Sequence, residues 1–191
     1  MDTPLHFAGI SGSLRKGSYN TMLLKAAAEL LPENTTMDIL PIEDLPLYNA
    51  DHDLPAAQAR PEIVQGFMDA IGKADALVIA SPEYNYSIPG GLKNAIDWAS
   101  RGEHSPLLRK PVALMGATPG MWGTVRMQLA FQAVFLFLDM KAVLKPEILI
   151  ADAAKKFDAS GRLLDEKAKE LISHKLQNLR ELVLAGKLQY H

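Results

Sequence analysis

Along this chain, short continuous apolar runs alternate with segments whose apolar residues recur every three or four positions. The runs cover residues 5–10, 37–40, 76–80, 112–115 and 143–150, the last interrupted at Pro146. The periodic segments cover residues 19–31, 61–72, 92–100, 125–138 and 165–184. Within the first of these, Met22, Leu23, Ala26, Ala27, Leu30 and Leu31 fall on one helical face. Ser18 is placed to cap that helix and Pro32 to stop it. The run Ala-Leu-Val-Ile-Ala at 76–80 has no polar alternation, so it suits a strand covered on both faces.

Strict strand–helix alternation implies a parallel sheet with helices on both sides. Right-handed crossovers then leave few topologies. Five strands predict an α/β, flavodoxin-like three-layer sandwich with sheet order 2-1-3-4-5. Its ligand crevice lies at the carboxyl ends of the strands flanking the switch point. With 191 residues and no linker or repeat, residues 1–191 are expected to form one domain.

Composition removes several chemistries. There is no cysteine, which excludes disulfides, thiolate clusters and thiol nucleophiles. Twenty basic against twenty-two acidic residues give a net charge of −2, a poor match to a general nucleic-acid binder. The opening residues lack the pattern of a secretory signal, and no apolar run is long enough to span a membrane. A cytoplasmic protein is the expectation. His6, His52, His104, His174 and His191 show no metal-ligand spacing, and no Gly-x-Ser-x-Gly elbow exists.

The loops after the first, third and fourth strands should meet at the crevice, and they are the most unusual loops in the chain. The first, residues 12–21, carries hydroxyls at Ser13, Ser18 and Thr21, the Asn20 amide and the Arg15 guanidinium. It opens onto a helix start, where free N–H groups and the helix dipole favour an anion. Gly12 and Gly17 have P-loop spacing, but Ser18 and Tyr19 stand where Lys and Ser/Thr are needed, and the dinucleotide fingerprint is absent. A terminal monophosphate fits better than a pyrophosphate. A Ser-capped helix after a glycine turn is the plain structural reading.

The second loop, residues 81–91, offers two tyrosines and an asparagine between stiffening prolines. It suits a flat heterocycle, or else covers an apolar seam. The third, residues 116–124, has glycines at 116, 120 and 123, while Trp122 either lines a pocket or packs. Glu83 is the one carboxylate in the three loops, so no acid–base pair is visible. Residues 41–61, with four prolines, form a long irregular stretch expected to be functional or mobile.

Three segments carry a resemblance to a known family. Gly-Ser-Leu-Arg-Lys-Gly-Ser-Tyr-Asn from Gly12, Ser-Pro-Glu-Tyr-Asn-Tyr-Ser-Ile-Pro-Gly-Gly from Ser81, and the glycines 116, 120 and 123 occur in order and at the right spacing. Together they resemble the NADPH-dependent FMN reductase family, in particular its bacterial chromate and quinone reductase branch. That resemblance implies non-covalently bound FMN, with NADPH or NADH as hydride donor and a quinone-like acceptor; chromate or azo compounds are further acceptors.

By motif match, Ser13, Arg15, Ser18 and Asn20 would hold the FMN phosphate, with Tyr19 beside them. Pro82, Glu83, Tyr84 and Asn85 would run along the ring, and Ala117 and Gly120 would border it. Ala117 stands where relatives often carry serine, which leaves only a backbone contact there. The resemblance also implies a homodimer that can pair into a homotetramer, with helix 125–138 as a candidate interface or plain core. The 41–61 stretch would then border the acceptor pocket, from the partner subunit. A flavodoxin-like electron carrier, which binds FMN without oxidising NAD(P)H, is the alternative; carriers tend to be strongly acidic, unlike this chain.

Overall fold

The computed structural model describes residues 3–188. Five strands, β1 (Leu5–Ser11), β2 (Thr35–Leu40), β3 (Ala76–Ala80), β4 (Pro111–Ala117) and β5 (Lys141–Ile150), alternate with five helices. These are α1 (Tyr19–Glu29), α2 (Glu62–Lys73), α3 (Gly90–Ala99), α4 (Val125–Phe137) and α5 (Glu166–Leu188). The sheet is parallel throughout, in the order β2-β1-β3-β4-β5, as the alternation predicts. Residues 76–80 are buried at every position, which is why that strand lacks a polar face.

Two apolar layers sandwich the sheet. On one side α1 and α5 bring Leu23, Leu24, Ile172, Leu176 and Leu179 against Phe7, Val78 and Met115. On the other, α2, α3 and α4 bring Phe67, Ile71, Ile96, Trp98 and Phe131 against Ile10, Ile79 and Leu114. Helix α4 carries apolar residues on both its inner and outer faces. Met127, Phe131 and Phe135 enter the core, whereas Leu136 and Phe137, 84% and 77% exposed, face outward with Leu129. Helix 125–138 is therefore core and uncovered surface at once. Among the described residues no helix is long and apolar enough to cross a membrane.

Some boundaries differ from the sequence expectation. Helix α1 ends at Glu29 rather than at residue 31, because Pro32 disfavours helical geometry at Leu31 and Leu30 becomes the C-cap. Ser18 does cap it, accepting from the Asn20 N–H at 3.1 Å. The 41–61 stretch is pinned. The Pro46 carbonyl accepts from Asn94 Nδ2 and Trp98 Nε1, the Tyr48 N–H donates to Asn94 Oδ1, and the Tyr48 ring packs edge-on against Trp98. Asp53, buried, pairs with Arg60.

Strand β5 runs on past Pro146 instead of breaking there. Between the pairs Ala113–Val143 and Met115–Ile148, β4 advances two residues while β5 advances five. The extra residues form a bulge whose carbonyls would lack partners. Lys175 of α5 reaches in from one layer and donates to Val143 and Pro146 carbonyls at 2.8 and 2.9 Å. Asn178 donates to the Lys145 carbonyl, and from the other layer Gln128 donates to that of Ile148.

Burial pushes the Lys175 ammonium down to about 8, against the opposing pull of Glu147. Its ordinary value is 10.5. Between those limits the unfolded chain keeps a proton that the folded one has released, so this residue makes stability rise with pH across that window. Urea midpoints at about pH 7 and about pH 10 are expected to show that rise in the wild type. Lys175→Met should flatten it while lowering stability at both, since two buried carbonyls lose a donor.

Candidate functional site

The sheet order makes β1, β3 and β4 neighbours, so the loops leaving their carboxyl ends start side by side. They are stitched at the exits: Gly12 N–H donates to the Ala80 carbonyl, Ser81 N–H to that of Met115, and Thr118 N–H to that of Ile150. A Cβ on Gly12 would overlap Ser81 Oγ and press on Leu92, so only glycine lets the first loop pass this close to the second.

The first loop is tight. Ser18 N–H donates to the Arg15 carbonyl, and Ser13 Oγ accepts from the Arg15 N–H at 3.3 Å. Both serine oxygens, Ser13 and Ser18, accept from backbone N–H groups and keep their hydroxyl protons to donate. In the first turn of α1, the N–H groups of Tyr19 and Thr21 have no acceptor among the described residues, where the positive end of the helix dipole lies. The exposed Arg15 guanidinium, folded toward Gly17, forms no ion pair among the described residues.

Asn20 does something other than the motif match implies. It is 2% exposed; its Nδ2 donates to the Ala117 carbonyl at 2.9 Å, and its Oδ1 accepts from the Ala117 N–H at 2.8 Å. The amide thus ties the head of α1 to the end of β4, which leaves one Nδ2 hydrogen for any further acceptor. By the same bonds the Ala117 N–H is engaged, so the backbone contact expected of Ala117 has no free donor. Both residues hold the first loop in place relative to the third.

The second loop turns at Tyr84–Ser87, where Tyr84 and Ser87 exchange backbone hydrogen bonds and Asn85 and Tyr86 both adopt left-handed backbone, φ 48° and 63°. This is a type I′ turn, tolerable for asparagine and strained for tyrosine. It presents Tyr84 and Asn85 outward after Pro82. The Glu83 carboxylate turns to the start of α4. It accepts from the N–H groups of Arg126 and Met127 at 2.9 and 3.1 Å and from Arg126 Nη1 at 3.2 Å. Glu83 therefore satisfies the N-terminus of α4 from within the chain.

In the third loop Gly120 N–H donates to Thr118 Oγ1, and the Gly120 carbonyl accepts from the Asp152 N–H. Gly123, φ 56°, lies so near the backbone of Leu149 that a side chain would not fit. Thr124, φ 69°, buries a hydroxyl with no partner among the described residues. Strain of this kind in a β-branched residue collects at functional sites. Between the second and third loops opens a pocket of about 340 Å³, lined by Glu83, Asn85, Tyr86, Thr118, Gly120, Trp122, Thr124 and Arg126.

Arg126 was not evident from the sequence motifs. Its guanidinium carbon lies 4.0 Å from the Tyr86 ring centroid and 4.8 Å from that of Trp122. One signal was available: an arginine in a first helical turn opposes the helix dipole, which calls for a nearby carboxylate.

Comparison with known proteins matches these features to a family. The family model for NADPH-dependent FMN reductases covers residues 5–155. An NAD(P)H-dependent FMN reductase of Pseudomonas aeruginosa is 47% identical over 94% of this chain and 96% of its own. A quinone reductase of Escherichia coli K12 is 36% identical over 98% of this chain and all of its own. Among solved structures, the flavoenzyme NAD(P)H:(acceptor) oxidoreductase FerB of Paracoccus denitrificans has a TM-score of 0.84 at 33% identity, covering 95% of this chain and 98% of that one. With the family's model spanning all three loops and near-full-length relatives at this identity, the chain belongs to the NADPH-dependent FMN reductase family.

Proposed function

We propose that this chain is an FMN-dependent NAD(P)H oxidoreductase that reduces quinone-like acceptors. The observation that carries this reading is the cradle at the head of α1. There the Arg15 guanidinium, two serine hydroxyl protons and two N–H groups lie on one loop and helix start and meet no carboxylate among the described residues. That donor set fits a phosphate dianion and gives a neutral ligand no reason to bind there. Bound FMN would supply the redox chemistry, taking hydride from NADPH or NADH and passing electrons to the acceptor.

The chain's own residues then bind and orient. Ser13, Arg15, Ser18 and the N–H of Tyr19 hold the phosphate, while Asn20 keeps that loop aligned with the end of β4. The backbone from Pro82 to Asn85 runs along the ring, and Gly120 borders it. Tyr86, Trp122 and Arg126 wall the pocket where donor and acceptor alternate. Glu83 is engaged at α4, so no side-chain acid or base takes part in this reading, which suits hydride transfer to a flavin.

The uncovered face of α4, with Leu129, Leu136 and Phe137, is the surface offered to a second copy in a homodimer. The same family reading extends to pairing of dimers into a tetramer and to oxyanion or azo acceptors such as chromate. The donor nucleotide is a metabolite of the cell interior, so the enzyme's place of action on this reading is the cytoplasm.

Purified protein is expected to be yellow. Under nitrogen, NADPH should bleach it, and a quinone should restore the colour. An electron carrier of the same fold would stay yellow with NADPH alone. Ser13→Ala and Arg15→Ala should each weaken FMN binding by about 10- to 100-fold while the flavin-free protein melts as the wild type does. Unchanged FMN affinity in both variants would remove the phosphate assignment.

A further inference from the structure

The segment between β5 and α5 lies at the end of the sheet that carries the three loops, and it touches two of them. Its Asp152 and Ala153 N–H groups donate to the carbonyls of Gly120 and Thr118 at 3.1 and 3.0 Å, which fastens it to the third loop. Residues 157–163 then form a small hairpin. Phe157 and Leu163 pair antiparallel, and the Asp158 and Leu164 N–H groups donate to the carbonyls of Arg162 and Lys156. The Asp158 carboxylate accepts from the N–H groups of Ser160 and Arg162, and Lys156 pairs with Asp165 at 2.9 Å beside the hairpin's base. A turn bonded from inside in this way keeps its shape.

The hairpin rests on the head of α1. The Phe157 ring, 7% exposed, has its centroid 5.7 Å from that of Tyr19. Gly161, φ 86°, sits so close to α1 that a Cβ there would press on the Met22 side chain at 3.1 Å. Tyr19 and Met22 are three residues apart and share a helical face, so the hairpin bears on the first turn at two points. Tyr19 carries one of the N–H groups assigned above to the phosphate. Phe157 itself lies outside the three loops and beyond the residues matched to the family. A first helical turn has few bonds of its own and opens readily; contacts of this kind restrain it.

We propose that residues 152–165 brace the head of α1 against the third loop, and that Phe157 is a positioning residue for the phosphate: by holding Tyr19 it keeps the N–H groups of the first turn aimed at one place. The inference rests on the oxidoreductase reading above and adds to it a determinant of the preference for FMN over its phosphate-free form, riboflavin. Donors held in place before the ligand arrives lose less freedom on binding, so loosening the brace weakens the phosphate contact and spares the ring.

Three variants and one control test this, all as full-length flavin-free protein. Phe157→Ala removes the ring, Phe157→Leu restores part of its bulk, and Gly161→Ala presses the hairpin off Met22 with Phe157 intact. Leu179→Ala, in the same apolar layer but about 20 Å along α5 from its start, lowers stability away from the brace. Amide exchange is read at Asn20 and Met22, whose N–H groups both bond to Ser18. It should quicken by about fivefold or more in Phe157→Ala and Gly161→Ala, less in Phe157→Leu, and not in Leu179→Ala. FMN and riboflavin titrations should show the same order. The ratio of the two affinities should fall about fivefold or more in Phe157→Ala, with riboflavin affinity unchanged.

Exchange at Asn20 and Met22 that stays at the wild-type rate in both Phe157→Ala and Gly161→Ala overturns the brace. FMN and riboflavin weakened by the same factor overturn the positioning role and leave Phe157 as core packing alone. An affinity ratio that falls as far in Leu179→Ala does the same. Wild-type protein that binds neither flavin sinks the oxidoreductase reading by itself, because the exchange arm needs no ligand. If Phe157→Ala does not fold, Phe157→Leu and Gly161→Ala carry both measurements.

Discussion

Replacing Asn20 with alanine is expected to lower stability by about 2–4 kcal/mol, read as a shift in the urea midpoint at unchanged slope. The side chain is nearly fully buried, and its two bonds go to both backbone groups of one residue, Ala117. Alanine leaves that N–H and that carbonyl without partners, and each unsatisfied buried group costs about 1–3 kcal/mol. Asn20→Asp separates geometry from size. It keeps the acceptor for the Ala117 N–H but sets a carboxylate oxygen against the Ala117 carbonyl. Folding then favours the protonated carboxyl, whose pKa rises in the folded state. Stability of that variant, relative to wild type, should be greatest below about pH 4 and fall away as pH rises through the raised value. In both variants FMN affinity is expected to fall as the first loop is displaced.

The second large effect is expected at Glu83. Glu83→Ala leaves two N–H groups at the start of α4 without an acceptor and the Arg126 guanidinium without its counter-charge. Breaking a buried pair from one side costs about 3–5 kcal/mol. Arg126 keeps some contact with water, so about 2–4 kcal/mol is expected here. Glu83→Gln retains one acceptor oxygen and should lose about half as much. The pH dependence of turnover decides the role of this carboxylate. In the structure it is a helix anchor, so Glu83→Gln should lower activity evenly across pH. A general acid or base would instead lose one limb of the profile.

These two residues also mark where sequence reading stops. The sheet order and the two helical layers follow from periodicity, because an all-apolar strand such as Ala76–Ala80 has few places to go. The Ser18 cap is local, two residues from the N–H it accepts, and it reads directly. Asn20 looks identical in type to a phosphate ligand. Only the fold shows that Ala117, 97 residues on, takes both ends of its amide. Glu83 and Arg126, 43 residues apart, are joined because β3 and β4 are adjacent, and nothing in either loop reports that distance. The β5 bulge was legible as an interruption at Pro146. Its remedy, a lysine from α5 reaching through to two carbonyls, was not, since a lysine on a charged amphipathic helix reads as solvated surface. The 41–61 stretch shows the converse: its length suggests a functional or mobile loop, and the bonds from Asn94 and Trp98 that hold it against α3 at Pro46 and Tyr48 are not visible in its sequence.

All of this turns on a phosphoryl group seated at the head of α1. Titrating flavin-free protein with FMN and, separately, with riboflavin isolates that contact, because the two ligands differ only in the phosphate. FMN should bind at least about 100-fold more tightly, as two or more charge-assisted hydrogen bonds imply, and Arg15→Ala should remove a large part of the gap. Equal affinity for both ligands would contradict the phosphate cradle and leave the three loops without a cofactor to hold.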